Sequence, residues 1–248
     1  MRGDSMRAII VAVDYADFLA VTLPYNRHHF ADVMIVTTST DTAVHEVAKR
    51  NNANVFATDA FYTGGAAFNK WIALEQGLDA FGREGWLCLL DADILWPKRL
   101  PRFEIMAGNL YTPHRRMFTD LTRPIPSESE WSTYPRHHVQ HEFSGYCQIF
   151  HGSDPCLGAP PWYQVNWRHA GGADTFFQEK WLPTNKIRPP FDVLHIGADG
   201  INWCGRATPY LDGSIHPAAE RRLQQLRRFQ RGRQRTGRFD GEKMRGDL

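Results

Sequence analysis

The stretch Gly85-Trp86-Leu87-Cys88-Leu89-Leu90-Asp91-Ala92-Asp93-Ile94-Leu95-Trp96-Pro97 decides the fold. Its apolar first half predicts a buried strand, which closes on two carboxylates one residue apart. A bare ionised carboxylate is too costly to hide in apolar surroundings. The usual remedy is a hard divalent cation with oxygen ligands, often shared with a phosphate-bearing substrate. A strand ending in Asp91-Ala92-Asp93 therefore suggests a metal, a diphosphate and an enzyme.

Upstream, strand and helix patterns alternate. Ala8 to Val13 reads as a buried strand, and Tyr15 to Asn26 as a helix broken near Pro24. Asp32 to Thr37 is a second strand, followed by a helix over Thr42 to Asn51. Val55 to Ala57 is a third short strand. Trp71, Leu74, Leu78 and Phe81 recur at helical spacing within Phe68 to Phe81. This β-α-β-α-β-α-β order predicts an α/β fold: a mixed, mostly parallel sheet flanked by helices. Ligands of such sheets bind beyond the carboxyl ends of the strands, where Asp14, Thr37 to Asp41 and Asp91 to Asp93 fall. No G-x-G-x-x-G or Walker lysine motif occurs, so a dinucleotide fold and a P-loop are unsupported.

The composition is that of a globular protein, with 248 residues, 42% hydrophobic and 23% charged. The apolar runs are too short to span a bilayer, and the start of the sequence lacks a signal-peptide core; a cytoplasmic protein is expected. None of Cys88, Cys147, Cys156 and Cys204 forms a C-x-x-C pair, so four reduced thiols are expected. Net charge is +2, but residues 221–248 hold ten basic and three acidic side chains. A domain over residues 1–217 with a basic helical tail over 218–248 is expected, the helix spanning Ala218 to Gln234 and the final dozen residues disordered.

Downstream, a loose, proline-containing segment runs to Glu142. It includes His137-His138-x-x-His141, a loop-like triplet without the glutamate or cysteine of a metal motif. Phe143 to His151 is strand-like. Gly171-Gly172-Ala173-Asp174 follows, and then a last strand with His195, Asp192 to Ile196. In this order the pieces resemble the GT-A fold glycosyltransferases that use nucleotide-diphosphate sugars, over roughly residues 8–206. Phe143 to Asp174 resembles the C-terminal part of the β-1,4-galactosyltransferase superfamily, where the aspartate of a G-G-E-D motif is the catalytic base. This chain departs in having Ala173 for the glutamate, and His169-Ala170 for tryptophan and glycine, so sugar preferences do not transfer.

The resemblance implies roles. Asp93, with Asp91 in direct or water-mediated support, would hold Mn²⁺ or Mg²⁺ against the diphosphate of a UDP-sugar, and His195 would complete the metal site. Mixed carboxylate and imidazole ligation favours Mn²⁺. Asp174 would be the general base on an acceptor hydroxyl, giving inversion, or else a helix N-cap before Thr175 to Trp181. Gly172, with Gly171, would let backbone approach the sugar. Asp14, Tyr15, Thr38 and Asp41 are candidates for uracil and ribose contacts, Asp41 equally for a helix cap. Asn69 and Lys70 would face the diphosphate or sugar, or else form a solvated helix face. Trp162, Tyr163, Trp167 and Trp203 could cover sugar C–H faces, although core packing accounts for at least half of them.

Two other readings compete. A nucleotidyltransferase usually has a Gly-rich basic loop after its first strand, where this chain has Asp14-Tyr15-Ala16-Asp17-Phe18. A nucleic-acid-binding protein on a degenerate transferase fold is the other. The arginine-rich tail suits nucleic acid, so the acceptor could be a hydroxylated DNA base.

Overall fold

The computed structural model describes residues 6–137 and 143–236. Ten strands are β1 (Arg7–Val11), β2 (Asp32–Thr37), β3 (Asn54–Ala57), β4 (Trp86–Asp91), β5 (Ile94–Leu95), β6 (Leu110–Tyr111), β7 (His114–Phe118), β8 (Cys147–His151), β9 (Lys186–Ile187) and β10 (Asp192–Ile196). Five α-helices are α1 (Ala16–Asn26), α2 (Thr42–Arg50), α3 (Lys70–Phe81), α4 (Ala173–Gln178) and α5 (Ala219–Thr236). The main sheet has the order β3-β2-β1-β4-β8-β6-β9. Its first four strands are parallel, and β8 lies antiparallel to both β4 and β6. A smaller sheet, β5-β10-β7, stands beside it. This is the expected α/β architecture: mixed, mostly parallel and flanked by helices.

The side-chain alternation of β1 and β4 explains the two layers. Ala8, Ile10, Cys88 and Leu90 join a core with Leu19 and Leu23 of α1 and Val44 and Val47 of α2. Ile9, Leu87 and Leu89 join the opposite core with Trp71, Leu74 and Leu78 of α3 and Phe177 of α4. Both faces being covered, the strands read as continuous apolar runs.

Some expected boundaries shift. Pro24 lies inside α1 without breaking it, and the chain passes through a 3₁₀ turn at Arg27–His29. The strand expected over Phe143 to His151 begins only at Cys147. The Asp192 to Ile196 strand joins the small sheet, pairing with β5 and β7. Trp162, Tyr163 and Trp167 are buried core residues, whereas Trp203 is half-buried. All four cysteines are free thiols. No helix among the described residues is long and apolar enough to cross a membrane. His138, His141 and residues 237–248 lie outside the described residues.

Candidate active site

The carboxyl ends of β1 and β4 open into a cavity of about 270 Å³. Tyr15, Lys70, Asp91, Asp93, Gly172, Asp174 and His195 all line it. Residues from seven elements or loops thus converge where the parallel strands end, the usual ligand position of such sheets.

The turn that carries the two acids is held from below by α1. Thr22 Oγ1 donates to the Ala92 carbonyl at 2.7 Å. Asn26 donates through Nδ2 to the Ile94 carbonyl at 2.7 Å and accepts from the Trp96 N–H at 2.9 Å. Both side chains are buried. On the other side, the Asp93 carbonyl accepts the Ile196 N–H at 2.9 Å, tying the turn to β10. Asp91 and Asp93 are therefore fixed by backbone contacts, not by contact with each other.

The two acids have different partners. Lys70, at the first position of α3, places Nζ 2.8 Å from Asp91 Oδ1. Burial raises the Asp91 carboxyl pKa, the Lys70 charge opposes this, and Asp93 adds to the rise. A third of the Asp91 side chain remains exposed, so solvent screens these effects. Asp93 is 8% exposed. Its Oδ2 lies 3.4 Å from His195 Nε2, while its Oδ1 is buried without a hydrogen-bond partner. Burial pushes the Asp93 carboxyl up, but the charge and hydrogen bond of His195 outweigh burial and hold it below the usual range.

Arg115 of β7 sits behind His195. It donates to His195 Nδ1 at 3.3 Å, pairs with Asp199 Oδ1 at 3.0 Å and donates to His137 Nδ1 at 3.1 Å. Among the described residues, no three His, Cys, Asp or Glu side chains are gathered closely enough to hold a metal ion by themselves. What is present is a buried carboxylate oxygen lacking a partner beside a ring nitrogen. That donor pair would suit a cation with mixed oxygen and nitrogen ligands. Asp93 would be its anchor. His195 would be the second ligand, and Asp91 is directed to Lys70.

The opposite wall is built on glycines. Gly172 precedes α4 with φ 110°, a conformation that side chains rarely adopt. Asp174 is the second residue of α4, so Gly172, and not Asp174, occupies the N-cap position. The Asp174 Oδ2 accepts the Gly145 N–H at 2.8 Å across the loop before β8. At Gly171, an added Cβ would lie 2.6 Å from the Trp203 indole. That indole stacks on His169 at 5.8 Å and 8°.

The structure does not bring Asp14, Thr38, Asp41 or Asn69 into this cavity lining. Asn69 caps α3, accepting from the Trp71 and Ile72 N–H groups, and donates to the Val165 carbonyl. Asp41 caps α2 and accepts the Asp14 N–H at 2.7 Å. Thr38 is buried, with its carbonyl facing His45 Nε2 at 3.0 Å. Asp14, at φ 62°, is held by Arg222 at 2.9 Å and His216 at 3.2 Å. Tyr15 does line the cavity; burial and the nearby Asp93 raise its phenol well above the ordinary range.

Sequence reasoning missed Thr22, Asn26, Arg115 and Arg206. A signal existed for the first two, as polar residues on the face of α1 that Phe18, Leu19 and Leu23 mark as buried. Arg206 is 1% exposed, pairs with Asp17 through two nitrogens and donates to the Asp14 carbonyl. Nothing local in Cys204-Gly205-Arg206 announces a partner about 190 residues away.

No protein-family model matches the sequence, and no curated protein sequence matches it. Solved structures do show likeness. A glucosyl-3-phosphoglycerate synthase from Mycobacterium tuberculosis, in complex with Mn²⁺, UDP and glucosyl-3-phosphoglycerate, is 12% identical, with 96% of this chain and 82% of that one covered and a TM-score of 0.44. Mannosyl-3-phosphoglycerate synthase from Rubrobacter xylanophilus is 14% identical, with 62% of this chain covered and a TM-score of 0.40. The match spans 55% of that synthase's length. A glycosyltransferase involved in glycosylation of the major capsid of PBCV-1 is 12% identical, with 90% and 99% covered and a TM-score of 0.32. At identities this low a likeness concerns fold alone, and no substrate or activity is carried over from it.

Proposed function

We propose that this chain is a divalent-metal-dependent glycosyltransferase of the GT-A type, moving a hexose from a UDP-sugar to an acceptor hydroxyl with inversion. One observation supports this best. Of the four acidic side chains lining the cavity, Asp91 pairs with Lys70 and Asp199 with Arg115. Asp93 and Asp174 have no lysine or arginine partner among the described residues. A diphosphate would meet net negative charge at Asp93 unless a cation came with it.

Asp93, with His195, would hold Mn²⁺ or Mg²⁺, which when bound neutralises charge on the departing diphosphate. Lys70, which pairs with Asp91 and lines the same cavity, would contact the same phosphates. Asp174 accepts the proton of the acceptor hydroxyl as that oxygen bonds to the anomeric carbon; the sugar–phosphate bond breaks and UDP leaves with its electron pair. The Gly145 N–H holds one oxygen of Asp174 in place. Attack from the face opposite the leaving group inverts the anomeric carbon.

The test is UDP release from UDP-glucose and UDP-galactose, in Mn²⁺ or EDTA, with varied acceptors. Asp174→Asn should lower kcat by roughly 10²–10⁴-fold, while UDP with Mn²⁺ still raises the melting temperature. Absence of metal-dependent turnover of every nucleotide sugar tried overturns the reading.

A further inference from the structure

We infer that the outer face of α5 is a docking surface for nucleic acid that leads to the mouth of the active-site cavity. The inference goes beyond the transferase reading and stands on a different part of the molecule. Helix α5 divides cleanly into two faces. Ala219, Arg222 and Leu226 are buried against the body, and Phe229 packs on His169 at 4.7 Å. Arg221, Arg227, Arg228 and Arg231 are exposed on the opposite side. Arg221, Arg228 and Arg231 recur at helical intervals of seven and three and form one ridge, with Arg227 on its flank. No carboxylate among the described residues forms an ion pair with any of the four. The acid on that side, Glu220, takes a hydrogen bond from Gln224 at 3.3 Å.

The ridge is about 15 Å long at 1.5 Å per residue. Phosphates along one strand of a duplex advance about 3.4 Å each, so the ridge spans about four. Four arginines over four phosphates is a match of charge and length, and arginine grips phosphate with two parallel N–H groups. An anionic membrane is the competing partner of a basic helix, but it requires an apolar face to enter the lipid. Here that face is consumed: Leu226 is 4% exposed, and Leu223 and Phe229 are half-buried on the body.

Position gives the surface its consequence. A groove of about 420 Å³ runs between α5, at Leu223, Leu226, Arg227 and Gln230, and the loop at Asp199-Gly200-Ile201 with Trp203. Asp199, Gly200 and Trp203 also line the cavity that holds Asp174. Of the four arginines Arg227 lines that groove, so a strand lying on the ridge borders the groove at Arg227. Where the transferase reading also holds, that polymer is the acceptor.

The experiment is fluorescence anisotropy of a short labelled DNA duplex, and of its single strand, with the full chain across about 50 to 200 mM salt. The comparison is the variant in which Arg221, Arg227, Arg228 and Arg231 are all glutamine. All four are exposed, so the variant should fold. The plot of log affinity against log salt should lose a slope of about 3 to 4 for four phosphate contacts, with affinity at the lower salt down more than tenfold. The inference is overturned if the variant keeps the wild-type affinity and slope, if neither DNA form binds the wild type, or if phosphatidylserine vesicles bind it where DNA does not. The UDP-induced melting shift of the same variant should be unchanged. It reports on donor binding without DNA, so failure of the transferase reading is seen separately.

Discussion

Gly171→Ala should disturb the glycine wall of the cavity through a single side chain, Trp203. The new Cβ would sit 2.6, 2.7 and 2.9 Å from three indole atoms. Reaching an ordinary 3.4 Å contact requires a shift of about 0.8 Å. The indole cannot bend, is stacked on His169, and follows a backbone whose carbonyl accepts the Ala170 N–H at 2.8 Å. Overpacking of this kind costs about 1–3 kcal/mol, or a melting temperature about 2–4 °C lower per kcal/mol for a chain of this size. Displacement of catalytic groups by about 1 Å can cost 10²-fold in rate, so kcat/KM should fall well beyond what partial unfolding explains. The decisive assay is a double-mutant cycle with Trp203→Ala, read by denaturant unfolding and by UDP release. Removing the indole removes the clash, so Gly171→Ala should cost almost nothing in that background. If it costs as much there as in the wild type, the origin of the effect is not the Trp203 contact and the account of this wall is wrong.

Three further outcomes are expected. Asn26→Ala leaves the Trp96 N–H and Ile94 carbonyl buried without their partner, a loss of about 1–3 kcal/mol for each group, measurable by urea unfolding; a change under 0.5 kcal/mol, about the surface-mutation range, would refute it. Asp93→Asn should abolish the Mn²⁺-dependent part of the UDP melting shift, whereas Asp91→Asn should weaken it less, since Asp91 faces Lys70; equal losses would contradict the division between the two acids. Burial, helped by His28, lowers the pKa of His29 to about 4, against about 6.5 unperturbed. The unfolded chain takes up this proton more readily, so the stability from a neutral His29 is complete above pH 6.5 and is lost as pH falls toward 4. His29→Phe should flatten the urea midpoint over that window, and an unchanged slope would reject the assignment.

Much of the fold was legible because its central strands carry their environment in their composition. Ile9 and Ile10, or Leu89 and Leu90, can be adjacent and apolar only where both sheet faces are covered. The strand-end acids were legible for the converse reason, since polar groups cannot be left in such a run without a use. The extension of the sheet beyond β4 by antiparallel β8 and then β6 and β9 was not readable: β6 and β9 are two residues long, and a pairing held by so few bridges leaves little periodicity. The ligand-like reading of Asn69, Asp41 and Asp14 illustrates a second limit. A carboxylate or amide at a strand end or helix start looks the same in sequence whether it meets a nucleotide or its own backbone, and here Asn69 and Asp41 cap helices. Arg115 and Arg206 were invisible because their partners come from distant segments.

The same long-range contacts change what the basic C-terminal segment is. Seen as charge, residues 218–248 are an appendage. Seen from the inside, Arg222 reaches Asp14 and the Arg206 carbonyl, each at 2.9 Å, and Phe229 backs the His169–Trp203 stack against which Gly171 rests. The inner face of α5 thus supports both the end of β1 and the glycine wall of the cavity, while the outer face carries arginines without an acidic partner among the described residues. The two faces belong to one helix, so a polymer held on the ridge would sit on the element that braces the cavity. Deleting residues 218–248 would remove the brace together with the charge, and a loss of activity after such a truncation would say nothing about DNA. Charge removal on the outer face alone separates them: it should leave the melting temperature and UDP response intact and change only salt-dependent binding.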